Sequence, residues 1–140
     1  MRICLVLLVA LAGCQGKPYG VAAVSGTVTL DGKPLPKASV TFVPMATKER
    51  QNPGPTAQGL TDEKGKFTVS VDPQTPGAVI GKCRVYITTL LTDPADDRDA
   101  GGPVKRVRDR VPSRYNQSTE LVIDVPEHGT DKADFALKSN

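Results

Sequence analysis

The sequence is short of the residues that most site chemistry requires. It has one histidine, His128, no tryptophan and three cysteines, and aromatic residues make up 4% of its 140 positions. A structural zinc site takes four ligands, mostly Cys and His, so here it would need carboxylates recruited from distant positions. No serine lies in a Gly-x-Ser-x-Gly turn, which removes the nucleophile elbow of the α/β-hydrolases. No segment sustains a helical period, and no apolar run approaches the roughly 20 residues that span a bilayer. The formal net charge of +3 is small and does not mark a nucleic-acid binder. Glycine (13) and proline (12) are abundant instead. That content is too high for a helical bundle and too aperiodic for collagen.

Residues 1–14 read MRICLVLLVALAGC. Arg2 supplies a minimal positive region, Ile3 to Leu11 is an uncharged apolar run, and Ala12 and Gly13 are small. This is the order of a secretory leader rather than of a membrane span. Leu11-Ala12-Gly13-Cys14 resembles the bacterial lipobox at all four positions. The resemblance implies that the Cys14 thiol receives a diacylglycerol and that the chain is cut before it. Two or more acyl chains anchor stably where one does not. Removing 13 residues from 140 leaves 127 and discards Cys4. Cys83 is then the one unmodified thiol, so the exported domain is expected to fold without a disulfide and to depend on its core. Residues 14–23 read as a short tether carrying Gly and Pro. Gln15 stands where an Asp retains enterobacterial lipoproteins in the inner membrane, so the resemblance points to the outer membrane.

From Val24 onward the pattern has period two. Val24, Val28 and Leu30 alternate with Ser25, Thr27 and Thr29, and Asp31-Gly32 follows as a two-residue hairpin signal. Pro34 and Pro36 keep the chain extended. Ala38 to Phe42 alternates again and Pro44 ends it. A short strand is expected at 56–60, then a turn over 61–65 with Gly65 in the left-handed region. Residues 66–71 read as one strand with Phe67, Val69 and Val71 inward, and 72–77 as a loop. Residues 81–90 form the longest strand candidate, with Cys83, Val85 and Ile87 on one face. Leu121, Ile123 and Val125 mark another strand, and Ala133, Phe135 and Leu137 the last. All three phenylalanines fall on inward positions. About seven short strands with frequent turns predict an all-β sandwich over 24–140.

The segments VSGTVTLDGKPLPKASVTFVP, TDEKGKFTVSV and PGAVIGKCRVYIT resemble the transthyretin-like or carboxypeptidase-regulatory-like domain. The nearest resemblance is to small lipoproteins of that type in planctomycete bacteria, where a stretch like VPSRYNQSTELVIDV precedes a last strand like KADFALK. It covers nearly the whole mature chain. It implies a seven-stranded Greek-key sandwich, Ig-like in layout, and it supplies no catalytic residues.

Candidate sites are few. His128 sits in a Pro-Glu-His-Gly turn and reads as solvated. Cys83, inward in phase, reads as a small core residue. Asp93, Asp96, Asp97 and Asp99 crowd one loop, but the spacing misses the calcium-loop pattern and Arg98 interrupts it. Lys105, Arg106, Arg108, Arg110 and Arg114 form a basic stretch around Asp109, with Tyr115 beside it. It reads either as a solvated face balanced by the acidic loop or as a contact for anionic headgroups, lipopolysaccharide or another acidic polymer. Within it Arg108, Arg110, Arg114 and Tyr115 are the candidate contacts.

The expectation is a non-enzymatic cell-envelope lipoprotein without cofactor or metal. It would be held to a membrane through Cys14 and act as a structural or protein-interaction module toward an envelope protein or glycan, not nucleic acid. The alternative is a ligand-binding domain for envelope glycan or acidic polymer. Replacing Cys14 by Ala is expected to move the protein from the membrane to the soluble fraction on cell fractionation. A variant that stayed with the membrane would refute lipidation at this residue.

Overall fold

The computed structural model describes residues 19–90 and 108–140. The leader, Cys14, the Asp93–Asp99 loop, Lys105 and Arg106 lie outside the described residues.

The chain is an all-β sandwich. In order its strands are β1 (Val21–Ala22), β2 (Ser25–Leu30), β3 (Lys33–Pro34), β4 (Ser39–Pro44), β5 (Ala57–Leu60), β6 (Lys66–Thr68) and β7 (Ser70–Asp72). They continue with β8 (Thr75–Pro76), β9 (Ala78–Val79), β10 (Gly81–Thr88), β11 (Val122–Val125) and β12 (Phe135–Leu137). One short 3₁₀ turn, Ser113–Tyr115, precedes β11. Six of the seven expected strand segments are present as single strands, the one expected at 66–71 is divided into β6 and β7, and the added strands are two-residue pieces.

Two sheets form the layers. One has six strands in the order β11-β10-β4-β5-β7-β8, and the other has β12-β2-β3 with β6 also on β2. A two-stranded pair, β1 with β9, closes one end. The centre of the larger sheet is the antiparallel pairing of β10 with β4, in register from Cys83↔Pro44 to Thr88↔Ser39. Side chains alternate across such a pair, so Cys83, Val85 and Ile87 share the inner face with Val40 and Phe42, all fully buried. From the other layer Val28 and Leu137 meet them. The phenylalanines join the layers: Phe42 meets Phe67 at 6.3 Å and Phe135 at 6.2 Å, both edge to face. Phe67 and Phe135 stack at 6.2 Å. These are the preferred geometries of aromatic pairs.

The expected hairpin is present. Asp31 (φ 52°) and Gly32 (φ 80°) both take positive φ and return β2 onto β3, as a two-residue turn of that hand requires. The single strand expected at 66–71 is not. β6 pairs with β2 in one layer, while Ser70 of β7 pairs with Gln58 in the other. The chain crosses between the layers at Val69, which is fully buried. A period-two pattern continues through such a crossing because both halves bury the same phase. At the crossing a Cβ on Gly59 would stand 2.3 Å from the Thr68 carbonyl oxygen, so the close approach requires glycine. The loop expected at 72–77 contains β8, hairpinned to β7. Val21 and Ala22, read from sequence as the end of the tether, pair with Val79 and Ala78, and Ala22 is buried.

Phe42 lies at the junction of both aromatic contacts. Its replacement by Ala is expected to cost about 3–5 kcal/mol in urea denaturation. A loss below about 1 kcal/mol would show that the layers are not joined there.

Candidate functional site

β10 sets the long axis of the sandwich and separates two poles. At its Gly81 end lie the β1–β9 pair, the Val125 end of β11 and the chain leading in from the tether, where Ile80 N–H donates to the Gly20 carbonyl at 3.0 Å. At its Thr88 end lies the 108–115 segment, which carries all four candidate contact residues.

That segment is fastened by Asp109. Its carboxylate accepts from Thr88 Oγ1 (2.5 Å), Thr89 N (2.9 Å), Thr89 Oγ1 (2.7 Å), Val111 N (3.0 Å) and Asn116 Nδ2 (3.1 Å). Partial burial opposes the charge, but the hydrogen bonds from Thr88, Thr89 and Val111 outweigh it and hold the carboxyl below its ordinary value. Val111 is buried beneath this clasp, and Asn116 Nδ2 also donates to the Val111 carbonyl at 3.3 Å. Sequence reading placed Asp109 only as an interruption of a basic run. Two threonines ending a strand some twenty residues earlier gave no local sign of the partnership.

Arg108, Arg110 and Arg114 are exposed and Tyr115 is partly buried. Two of the arginines also have internal partners. Arg110 Nη2 donates to the Pro36 carbonyl at 2.9 Å. Arg114 Nη2 donates to the carbonyls of Lys138 and Asn140, and its guanidinium lies 4.9 Å from the centre of the Tyr115 ring. Tyr115 OH accepts from Lys138 N at 3.1 Å. Hydrogen bonding with Arg114, then with Lys138, holds the phenol below its ordinary value. Asp31 Oδ1 accepts from Ser139 N at 3.0 Å, and hydrogen bonding with the Ser139 side chain, then with its backbone N–H, lowers that carboxyl too. Arg114, Tyr115 and Asp31 thus grip the segment that follows β12.

The other candidates are dispersed. Cys83 is fully buried, its thiol donates to the Val79 carbonyl at 3.5 Å, and burial pushes it up to about 11. A thiol in that state is neither nucleophile nor ligand at neutral pH. His128 is exposed in the 126–129 turn at the opposite pole. It shares a shallow depression with Ser25 and Asp131. A broader open groove of about 570 Å³ runs along β2 and β6, lined by Thr27, Leu60, Asp62, Lys66 and Thr68. Asp62 there is occupied by the N–H groups of Lys64 and Lys66. Among the described residues no three His, Cys, Asp or Glu side chains are grouped to hold a metal ion. No described helix is long and apolar enough to cross a membrane.

No protein-family model, curated protein or solved structure matches the chain.

Replacing Asp109 by Ala is expected to cost about 1–3 kcal/mol near neutral pH, since it leaves several donors at the clasp unmatched. The folded carboxyl lies below its unfolded value, so its contribution is present above the unfolded pKa of about 3.9 and is lost as pH falls through the folded value. The gap between native and variant in urea denaturation should therefore shrink from about pH 7 to about pH 2. An equal gap at both would contradict this role.

Proposed function

We propose that this chain is a non-enzymatic lipoprotein of the bacterial cell envelope, a transthyretin-like sandwich held at the membrane through lipidated Cys14. The observation that carries the reading is Leu11-Ala12-Gly13-Cys14 closing an apolar leader, seven positions ahead of Val21, the first strand residue among those described. A buried core without a disulfide suits an exported module of this size, and Cys83 is removed from redox chemistry by its burial. Gln15 favours the outer membrane. The module works as a structural or protein-interaction unit. Its means of engagement is strand addition at β11, an outer strand of the six-stranded sheet. The opposite outer strand, β8, carries Pro76, which has no N–H to offer a partner.

A second reading is a ligand-binding domain for envelope glycan or acidic polymer. The exposure of Arg108, Arg110 and Arg114 favours it.

In-cell crosslinking of the lipidated protein, run beside the Cys14→Ala variant, tests the first reading. The expected result is a recurrent protein partner that disappears with the anchor. Recovery of polymer in place of protein, released by salt, would replace the first reading with the second.

A further inference from the structure

The outer strands of this sandwich are not alike. β8 and β3 carry Pro76 and Pro34, which have no N–H to offer another strand. At β6, Asp62 occupies Lys66: its carboxylate accepts from the Lys66 N–H, and its own N–H donates to the Lys66 carbonyl. Just past β12, Lys138 N–H donates to Tyr115 OH. Among the described residues β11 has neither a proline nor such a cover, and at four residues it is the longest outer strand.

The register fixes what β11 presents. Val85 N–H donates to the Leu121 carbonyl at 2.9 Å, and the pairs Cys83↔Ile123 and Gly81↔Val125 continue that alternation. Leu121, Ile123 and Val125 therefore turn their backbone groups to β10, while Val122 and Asp124 turn theirs to the free side. The side chains sort in the same way. Leu121 and Ile123 lie on the inner face, packed against the core but only partly buried. So is Phe135 of β12, the outer strand of the other layer. Val122, 49% exposed, and Asp124 lie on the outer face, and alternation adds exposed Glu120.

Such an edge selects a partner by period-two chemistry. An antiparallel strand laid on it would place two side chains inward beside Leu121 and Ile123, where branched apolar residues extend the cover of the core. Its outer side chains would face Glu120, Val122 and Asp124. Opposite charges directly across a strand pair stabilise it, and like charges destabilise it. Lys82 flanks Asp124 from β10, so a basic residue on the free side completes a row of alternating sign. A second copy of β11 gains no such pair. Centred on Val122, it sets Asp124 against Glu120, and centred on Asp124 it sets like on like. Centred on Ile123, it leaves the two carboxylates opposite Val122 and Pro126.

We infer that β11 takes as its partner an extended segment of another protein in which Lys or Arg alternates with Val or Ile, paired antiparallel so that its basic residues face Asp124 and Glu120. The inference rests on the strand addition proposed above and specifies the strand that is added.

The test titrates the full chain, in neutral detergent micelles, with fluorescent forms of the blocked peptides TKVTVKT, TSVTVST and TEVTVET. Salt is held at about 0.1 M, where a screening length of about 10 Å leaves adjacent side chains coupled. The lysine peptide should bind at least about tenfold more tightly than the glutamate peptide, with the serine peptide between them. TKVPVKT, whose proline removes the N–H that would meet the Val122 carbonyl, should bind at least about tenfold more weakly than TKVTVKT. The Glu120→Gln/Asp124→Asn variant, altered only at exposed side chains, should lose the preference for the lysine peptide. Equal binding of the three peptides would leave strand addition standing and overturn the basic partner. Binding indifferent to the proline would show adsorption by charge and overturn it as well, as would a lysine preference that survives in the variant. Binding of no peptide would overturn strand addition and the partner together. A dimer of the chain that excludes the peptides, seen by sedimentation, would assign the edge to a second copy instead.

Discussion

The pairing of β10 with β4 is the constraint on which the rest of this molecule depends. Six residue pairs in one register place Cys83, Val85 and Ile87 opposite Pro44, Phe42 and Val40, so the inner face is fixed for both strands together. A slip of one residue would turn all six side chains to solvent. The same pairing holds Phe42 where the rings of Phe67 and Phe135 can reach it from the second layer. It also fixes the direction of the long axis. The chain enters beside Gly81 and the Asp109 clasp closes over Thr88, so the two ends of one strand define the two poles of the sandwich.

Much of this was legible in the sequence because burial imposes a period of two wherever one strand face is covered. Val24, Val28, Val40, Phe42, Cys83, Val85, Ile87 and Leu137 are all fully or nearly fully buried, as their phase requires. Asp31-Gly32 was legible for a different reason: only a few residue types accept the positive φ of a two-residue hairpin. The crossing at Val69 was hidden, since a strand that changes sheets keeps its alternation. Gly59, which makes room for it, lies ten residues earlier. The β1–β9 pair was hidden as well, because two-residue strands carry no period.

The sites were less legible than the core, and the reason is range. The hydrogen bonds of Asp109 to Thr88 and Thr89, and those of Arg114 to Lys138 and Asn140, join residues about twenty or more positions apart. Nothing in the local pattern distinguishes them from a solvated charge run. Once they are formed, the stretch fastens the end of the sandwich from within. Cys83 illustrates the opposite case. Its inward phase was sufficient to read it as a core residue, and burial that raises the thiol to about 11 agrees.

The proposed anchor at Cys14 would enter the sandwich from its Gly81 end, an orientation that can be measured. Cys83 is buried, so a single introduced thiol can be labelled selectively in the lipidated chain. Lys48 lies in the loop beside Arg50 and Ile80 at the Gly81 end, and Ser139 lies with Asp31 at the Thr88 end. Energy transfer from labels at Lys48→Cys and at Ser139→Cys to an acceptor on the lipid headgroups reports both heights. Strong transfer is expected from position 48 and weak transfer from position 139. Equal transfer from both, or stronger transfer from position 139, would contradict it.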